Sequence, residues 1–242
     1  MADVYFEVPR LAEIYDSLHP DRSDLDVYAA LVDELGARTV LDVGCGTGTF
    51  ACLLADRGVE VIGIDPAAAS LDVARLKPGA DQVRWLLGDA TTLPPLQVDV
   101  AIMTGNVAQV FVTDEDWVET LSSIRSTLRP DGWLVFESRD PRAQAWLEWN
   151  RTDSYFRAVI PSVGAVEAWV DVIDLQPDIV SFRSTFIFEG DGAVMTSEST
   201  LRFRSRDEIT DSLTAAHLTV REVRDAPDRP GRELVFLAQR SE

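Results

Sequence analysis

Two periods of apolar residues divide this chain of 242 residues. Between residues 39 and 137, nearly continuous apolar runs alternate with segments whose apolar residues recur every three or four positions, which predicts alternating strands and helices. The predicted strands are 39–43, 59–64, 83–87, 98–103 and 132–137, and the predicted helices are 48–57, 67–76 and 114–128. This alternation is typical of a parallel sheet covered on both faces, and it predicts an α/β fold.

Two helices are predicted before the first strand. Residues 4–18 have apolar positions at helical spacing and predict one short helix that ends before Pro20. Ser23, with Asp26 three residues later, predicts a capping box at the start of a second helix, which Gly36 closes.

After residue 140 the period of the apolar residues changes. Residues 141–150 predict a helix, and the runs that follow alternate apolar and polar positions, so they predict antiparallel strands at 166–174, 179–189 and 194–204. Ser205 and Glu208 predict a capping box for a last helix. Two further strands are predicted at 218–224 and 233–239.

The most informative motif is Asp42-Val43-Gly44-Cys45-Gly46-Thr47-Gly48, which follows the first predicted strand. The three alternating glycines allow a sharp turn on which a ligand can lie directly. A carboxylate at Asp42 repels a pyrophosphate and attracts an ammonium group. S-adenosylmethionine fits this turn, because it has an α-amino group, a sulfonium and no phosphate.

The net charge of −19 disfavours nucleic acid as a partner. The nearest approach to a basic patch is the series Arg202, Arg204 and Arg206, whose spacing of two predicts one solvated face of a strand rather than an anion site.

No disulfide framework, metal site or membrane segment is expected. Cys45 and Cys52 are too few for a disulfide framework, and with His19 and His217 they do not make a metal site. The first residues lack the basic start and apolar core of a signal peptide, and no apolar run is long enough to cross a bilayer. We therefore expect a cytoplasmic protein.

The order and spacing of these motifs resemble the class I S-adenosylmethionine-dependent methyltransferases, in their small-molecule branch. The resemblance covers about residues 10–140 closely and the last helix and strands more loosely. It implies a Rossmann-like, mostly parallel seven-stranded sheet with an antiparallel insertion after the fifth strand. It also implies that the glycine turn wraps the methionine end and the ribose of the cofactor, through Asp42, Gly44, Cys45, Gly46 and Gly48.

Two further acidic positions match the family. Asp65, followed by Pro66, ends the second strand and is implied to accept the ribose hydroxyls, although an acid there also serves as a helix cap. Asp89 follows the third strand and is implied to face the adenine amine, with Ala90 beside a ring nitrogen. The alternative at Asp89 is an ordinary Gly-Asp turn.

The residues after the fourth strand are implied to lie near the sulfonium and the methyl acceptor. They are Thr104, Gly105 and Asn106, of which Asn106 either orients a substrate or is a turn residue. The segment lacks the Asn-Pro-Pro-Tyr motif of enzymes that methylate nucleobases or glutamine amides, which weighs against those acceptors.

The catalytic residues are unknown at this stage, and the weak candidates besides Asn106 are Tyr15, His19 and Arg139. Tyr15 belongs to a Tyr-Asp pair that in the family caps the cofactor, or it packs on the core. His19 is either a base for the acceptor or an exposed loop residue. Arg139 binds an acidic group of the substrate or pairs with a surface carboxylate.

Downstream aromatic residues either wall an apolar substrate pocket or belong to the core; they are Trp146, Trp149, Tyr155, Phe156 and Trp169.

These observations predict a methyltransferase that transfers the S-methyl group to an N or O atom of a small molecule. Residues 1–140 are expected to hold lid helices and the cofactor-binding core, 141–205 an insertion for substrate or dimer contacts in the same domain, and 206–242 the closing helix and strands. A homodimer through the insertion is expected by analogy. Two alternatives remain, a non-catalytic S-adenosylmethionine-binding module and an NAD-binding oxidoreductase.

Overall fold

The computed structural model describes residues 2–241, which contain nine α-helices and eleven strands. The helices are α1 (Val4–Glu7), α2 (Pro9–Ala12), α3 (Tyr15–Leu18), α4 (Asp24–Glu34), α5 (Thr49–Asp56), α6 (Ala68–Arg75), α7 (Asp114–Thr127), α8 (Arg151–Ser154) and α9 (Arg206–Ala215). The strands are β1 (Thr39–Val43), β2 (Glu60–Asp65), β3 (Val83–Leu87), β4 (Val98–Met103), β5 (Leu128–Arg139), β6 (Phe156–Ile160), β7 (Gly164–Leu175), β8 (Ile179–Phe188), β9 (Ala193–Arg202), β10 (Leu218–Asp225) and β11 (Glu233–Arg240). None of the helices within 2–241 is long and apolar enough to cross a membrane.

Seven strands form the main sheet, in the order β10-β11-β5-β4-β1-β2-β3. The strands from β1 to β5 pair in parallel, whereas β11 pairs antiparallel with both β5 and β10. The predicted α/β class with a mostly parallel seven-stranded sheet is therefore confirmed. The chain order changes direction between β1 and β4, which is where open α/β sheets hold their ligands.

Alternate residues of the central strands enter two apolar cores on opposite faces of the sheet. Val135 packs in the core beneath α4 and α5, and the next residue, Phe136, packs in the core beneath α7 and α9. Because both faces are covered, nearly every side chain of the central strands is apolar, and this explains the continuous apolar runs in the sequence.

The prediction of one helix over residues 4–18 is wrong. The segment forms three helices of four residues each, and Val8, between the first two, is extended at φ −85° and ψ 121°. Pro9 causes the break, because proline has no N–H for the helix and disfavours a helical conformation in the residue before it.

Of the two predicted capping boxes, one forms and one does not. Ser205 is extended, its Oγ accepts from the N–H of Glu208 at 3.3 Å, and its own N–H donates to Glu208 Oε2 at 2.7 Å. Ser23 has helical dihedral angles and makes no side-chain cap, so the box predicted there is wrong. A serine hydroxyl reaches the free N–H groups of the first helical turn only when the serine backbone is extended, and the backbone of Ser23 is helical.

The insertion forms a second, four-stranded antiparallel sheet in the order β6-β7-β8-β9, as predicted apart from β6, which the sequence did not indicate. The helix predicted at 141–150 is wrong. The segment forms two short 3₁₀ turns separated by Gln144, whose backbone is left-handed at φ 48°. Packing of Trp146 and Trp149 against Phe203 of the insertion overrides the local helical preference.

Arg202 and Arg204 do not form a solvated strand face, so that prediction is also wrong. Arg204 is only 5% exposed, and its guanidinium donates to the carbonyl oxygens of Phe111 at 2.8 Å and Thr113 at 3.0 Å. Arg202 donates to the carbonyl oxygen of Val112 at 3.2 Å. The two arginines therefore fasten the loop between β4 and α7 to the end of the insertion.

Candidate cofactor site

A cavity lies at the carboxyl ends of β1, β2, β3 and β4, beneath the N-terminal helices. Ten of the predicted site residues line it: Tyr15, Gly44, Cys45, Gly46, Asp65, Pro66, Asp89, Ala90, Thr104 and Gly105. The carboxyl ends of parallel strands meet at one edge of a sheet, so residues far apart in the chain reach the same cavity.

The glycine turn forms the floor of this cavity. Gly44 and Gly46 have positive φ angles of 73° and 52°, which side chains other than glycine rarely adopt. A Cβ atom on Gly44 would lie 2.5 Å from Val107 Cγ2, so the backbone of the turn packs directly against the Val107 side chain of the loop after β4.

Gly48 does not line the cavity, in contrast to its predicted role. It lies at the N-cap of α5 with φ 76°, and a Cβ there would lie 2.5 Å from Trp85 and 2.8 Å from the Cβ of Ala74. Gly48 therefore allows α5 to pack closely on β3 and α6, which is a structural requirement next to the site.

Asp65 ends β2 and fixes the turn from the opposite side. Its Oδ2 accepts from the N–H of Gly46 at 2.8 Å, and its Oδ1 accepts from the N–H of Ala67 at 2.8 Å. Burial raises the pKa of this carboxyl. Each oxygen keeps a further lone pair for a ligand, so Asp65 both shapes the turn and faces the cavity.

Asp42 is 1% exposed and does not line the cavity. Neither of its carboxyl oxygens has a hydrogen-bond partner among the described residues. Burial, with the nearby negative charge of Asp65, raises its pKa to about 7. Its side chain lies behind the glycine turn rather than on the surface that a ligand would touch.

Asp42 and Glu137 predict an unusual dependence of stability on pH. The pKa of each rises to about 7, chiefly through burial, from ordinary values of 3.8 and 4.5. The folded chain then binds more protons than the unfolded chain between about pH 4 and 7, so the free energy of unfolding falls as pH rises through this range. We expect the ligand-free protein to lose about 5 kcal/mol from pH 5 to pH 8 in urea unfolding, and Asp42→Asn to roughly halve that loss. A free energy of unfolding that stays constant or increases over this range would contradict the raised pKa values of these two buried carboxyls.

Asp89 caps a short 3₁₀ turn while facing the cavity. Its Oδ1 accepts from the N–H of Thr91 at 2.9 Å and from Thr91 Oγ1 at 2.6 Å. Asp89 therefore forms the turn that was the alternative to a cofactor contact, and its contact with adenine stays a prediction. Ala90, which follows, is fully buried and lines the same end of the cavity.

Gly105 and Asn106 follow β4 with positive φ angles of 74° and 63°. Gly105 lines the cavity, but Asn106 lies behind it, 3% exposed. The N–H of Asn106 donates to Glu137 Oε1 at 2.7 Å, and its Nδ2 donates to Glu233 Oε1 at 3.2 Å. These two contacts hold Asn106 in a left-handed conformation, which is rare for residues other than glycine.

Two catalytic candidates lie outside the cavity. Arg139 donates from Nη1 to Gln109 Oε1 at 3.0 Å, pairs with Glu233 at 3.6 Å and lies over the ring of Trp149. Arg139 therefore has a structural role. It pairs with a carboxylate as one alternative predicted, but the carboxylate of Glu233 is buried and not on the surface. His19 is exposed, and its Nε2 lies 3.1 Å from the Tyr5 hydroxyl, away from the cavity lining.

The N-terminal helices cover the cavity and are fastened to the glycine turn by Asp16. Its Oδ1 accepts from Thr47 Oγ1 at 2.7 Å and Thr49 Oγ1 at 3.3 Å, and its Oδ2 pairs with Lys77. Tyr15, beside it, is held among aromatic rings and faces the cavity. Tyr15 therefore lines the cavity, and Asp16 holds the N-terminal helices against the glycine turn.

Arg22 also lines the cavity, and sequence reasoning missed it. Its Nε and Nη2 donate to the two carboxyl oxygens of Asp24 at 3.1 and 3.2 Å. The side chain brings a positive charge to an otherwise acidic site. The only signal in the sequence was its position directly before the second helix, which does not reveal where the chain places it.

The aromatic residues of the insertion do not line the cavity. Trp146 and Trp149 pack with Phe203, Tyr155 and Phe156 are exposed, and Trp169 lies beneath Arg151. Of the two alternatives for these aromatic residues, packing in an apolar core is the one that applies to Trp146 and Trp149.

Comparison with known proteins agrees with this geometry. Residues 40–132 match the family model described as a methyltransferase domain. A demethylmenaquinone methyltransferase from Deinococcus radiodurans is 36% identical over 154 residues, which cover 62% of this chain and 63% of the relative. This chain spans less than two thirds of the length of the first curated relatives that it matches.

Two solved structures extend the likeness over the whole fold. The CcbJ methyltransferase from Streptomyces caelestis has a TM-score of 0.80 and 23% identity, with 99% of this chain and 98% of the other covered. The sugar N-methyltransferase KedS8 from Streptoalloteichus has a TM-score of 0.81 and 18% identity, with 100% and 96% covered.

The fold is therefore that of the class I methyltransferases, with the seven-stranded sheet and the cavity at the carboxyl ends of its strands. Within this fold, residues 40–132 match the methyltransferase domain model, and the predicted class I methyltransferase fold is confirmed.

Proposed function

We propose that this protein is an S-adenosylmethionine-dependent methyltransferase that transfers a methyl group to an N or O atom of a small-molecule acceptor. The observation that carries the proposal is one cavity in which the Gly44–Gly46 turn, Asp65 and Asp89 meet beneath a cover that includes Tyr15. The turn, Asp65 and Asp89 lie at the carboxyl ends of three neighbouring strands, β1, β2 and β3.

The donor groups of the cavity fit this cofactor. The wall carries the carboxylates of Asp65 and Asp89, with Asp42 buried behind it, and among residues 2–241 no lysine or arginine other than Arg22 lines it. Such a wall disfavours a diphosphate and favours a donor with positive sulfur and nitrogen atoms. When bound, S-adenosylmethionine supplies an electrophilic methyl group.

Each lining residue has a role that its surroundings allow. We propose that Asp65 accepts the ribose hydroxyls, Asp89 accepts from the adenine amine, and Arg22 binds the carboxylate of the methionine portion. Thr104 and Gly105 line the cavity, and we propose that the acceptor lies beside them and that Tyr15 excludes water from it. The chain itself forms no covalent bond to the substrate in this scheme.

The names of similar proteins support a small acceptor. KedS8 is a sugar N-methyltransferase, and the relative from Deinococcus radiodurans acts on demethylmenaquinone. The net charge of −19 disfavours an RNA or DNA acceptor for this chain. We therefore propose that the acceptor is a small molecule. We also propose that the protein is cytoplasmic.

The insertion, residues 141–205, is proposed to contact the substrate and a second copy of the chain. Val159, Ile187 and Val194 share the outer face of its sheet, and Val159 and Val194 are 71% and 61% exposed. Sedimentation of the full chain tests the homodimer, and a mass of one chain at all concentrations would contradict it.

Two measurements test the proposed activity. Calorimetric titration with S-adenosylhomocysteine should show binding, and titration with NAD should show none; the reverse result would indicate an oxidoreductase. Incubation with methyl-labelled S-adenosylmethionine and a metabolite panel should then label an acceptor. Binding without transfer to any acceptor would indicate a non-catalytic S-adenosylmethionine-binding module.

A further inference from the structure

The cavity has an apolar part that the proposed cofactor contacts leave unused. Asp65 ends β2 and Asp89 follows β3, whereas Val110 and Phe111 lie in the loop after β4, on the other side of β1 in the sheet order. Phe6, from α1 of the cover, lines the cavity as well. The side chains of Phe6, Val110 and Phe111 have no polar atoms, so they offer a ligand only apolar surface.

Val110 exposes apolar surface at this part of the cavity. It lines the cavity, ends a short 3₁₀ turn that begins at Val107, and is 50% exposed. Val107, in contrast, packs directly against the backbone of Gly44. The 3₁₀ turn therefore contacts the glycine turn at its start and presents an uncovered valine at its end. An apolar ligand group that displaces water from such a side chain gains affinity.

The wall formed by Val110 and Phe111 is held in place by the protein itself. The ring of Phe111 lies 5.9 Å from that of Trp117, and its carbonyl oxygen accepts from Arg204 at 2.8 Å. Arg202 donates to the next carbonyl oxygen, that of Val112, at 3.2 Å. Because these contacts exist without a ligand, the wall is preformed, as binding sites for small molecules usually are.

The cover supplies the other side of this part of the cavity. The ring of Phe6 lies 5.8 Å from that of Tyr15, and its carbonyl oxygen accepts from Ser70 Oγ at 2.9 Å. Asp3, three residues earlier, also lines the cavity, and its Oδ2 accepts from Ser199 Oγ of the insertion. A carboxylate at Asp3 repels an anionic acceptor.

We propose that the methyl acceptor carries an uncharged apolar portion, which lies against Val110 and Phe111 of the loop after β4 and against Phe6 of the cover. This inference rests on the proposed methyltransferase function and narrows its acceptor to molecules with an apolar ring or chain near the N or O atom. Val110 is then a residue that determines specificity. A polyhydroxylated acceptor would lose hydrogen bonds to water at this wall without replacing them.

The test compares an apolar and a polar neutral probe of similar size on the complex with S-adenosylhomocysteine. Equilibrium dialysis should show that 2-naphthol binds this complex at least about tenfold more tightly than methyl α-glucoside, the difference expected when one apolar side chain is covered. Val110→Asp should weaken the binding of 2-naphthol by at least about tenfold, because a carboxylate replaces apolar surface. Its affinity for S-adenosylhomocysteine should stay within about threefold of the original.

Val118→Asp is the matched control. Val118 is 53% exposed on α7, does not line the cavity, and so tests the same substitution at similar exposure. It should leave the affinity for 2-naphthol unchanged. If Val110→Asp does not fold, Val110→Thr replaces it, because threonine keeps the shape of valine and adds one hydroxyl, and a loss of about threefold is then expected.

The outcomes separate the two proposals. Failure of S-adenosylhomocysteine to bind the original protein would refute the proposed function itself. If it binds, the inference about the acceptor alone is overturned by any of three results: 2-naphthol does not bind, methyl α-glucoside binds as tightly, or the variants at 110 and 118 lose the same affinity.

Discussion

Replacing Gly44 with alanine is expected to destabilise the protein by about 2–5 kcal/mol and to abolish cofactor binding. Gly44 has φ 73°, a left-handed conformation that costs alanine about 1–2 kcal/mol. The new Cβ would also lie 2.5 Å from Val107 Cγ2 and 2.9 Å from its Cγ1, an overlap that adds about 1–3 kcal/mol. Relief requires the glycine turn and the loop after β4 to separate, and both line the cavity. Urea unfolding and titration with S-adenosylhomocysteine measure the two effects.

Gly46→Ala is the matched control, because it shares the backbone strain and lacks the clash. Gly46 has φ 52°, and nothing lies within 4 Å of its Cβ position, so only about 1–2 kcal/mol should be lost. Adding Val107→Ala to Gly44→Ala removes the two methyl groups that overlap most and should restore part of the stability. Equal losses for the two glycine variants would show that the turn and the loop after β4 do not touch as described.

The main sheet could be predicted because its strands are buried on both faces. A continuous apolar run such as Val98–Met103 indicates a strand even when its neighbours in the sheet are unknown. The helices beside the sheet are buried on one side only, so their apolar residues recur every three or four positions. The glycine turn could be predicted for a related reason, since the motif itself supplies the three glycines that its positive φ angles require. Local requirements of this kind are visible in a single sequence.

Features that depend on distant partners could not be predicted. The period of two in Arg202 and Arg204 gives no sign that both guanidinium groups donate to carbonyl oxygens of the loop at residues 111–113. The helix expected at 141–150 does not form because Trp146 and Trp149 pack against Phe203, which directly follows β9. In each case tertiary contacts outweigh a local preference.

The sequence did not show which predicted side chains point into the cavity. Asp42 lies inside β1, so its side chain points into a covered face of the sheet, whereas Asp65 is the last residue of β2 and reaches the edge. Spacing along the chain places both near the cavity but does not show which one faces it. Arg22 was missed for the same reason, because its approach to the cavity depends on how the N-terminal helices fold over the sheet.

Asp65→Ala is expected to weaken binding of S-adenosylhomocysteine by at least about 100-fold while leaving the protein folded. The carboxylate accepts from the N–H groups of Gly46 and Ala67, both at 2.8 Å. Gly46 lines the cavity, so in the free protein water can replace its lost acceptor, and the fold persists. A bound ligand displaces that water and leaves the N–H without a partner, in addition to losing the proposed contact with the ribose. Calorimetry measures the affinity, and circular dichroism checks the fold.

The two contributions of Asp65 can be separated by changing the ligand. The original protein should bind S-adenosylhomocysteine much more tightly than its 2′,3′-dideoxy analogue, because only the first donates ribose hydroxyls to the carboxylate. In Asp65→Ala this difference should shrink to less than about threefold, whereas Asp211→Ala, an exposed acidic position on α9, should keep it in full. If the alanine variant at position 65 still discriminates between the two ligands, Asp65 shapes the turn through Gly46 but does not hold the ribose.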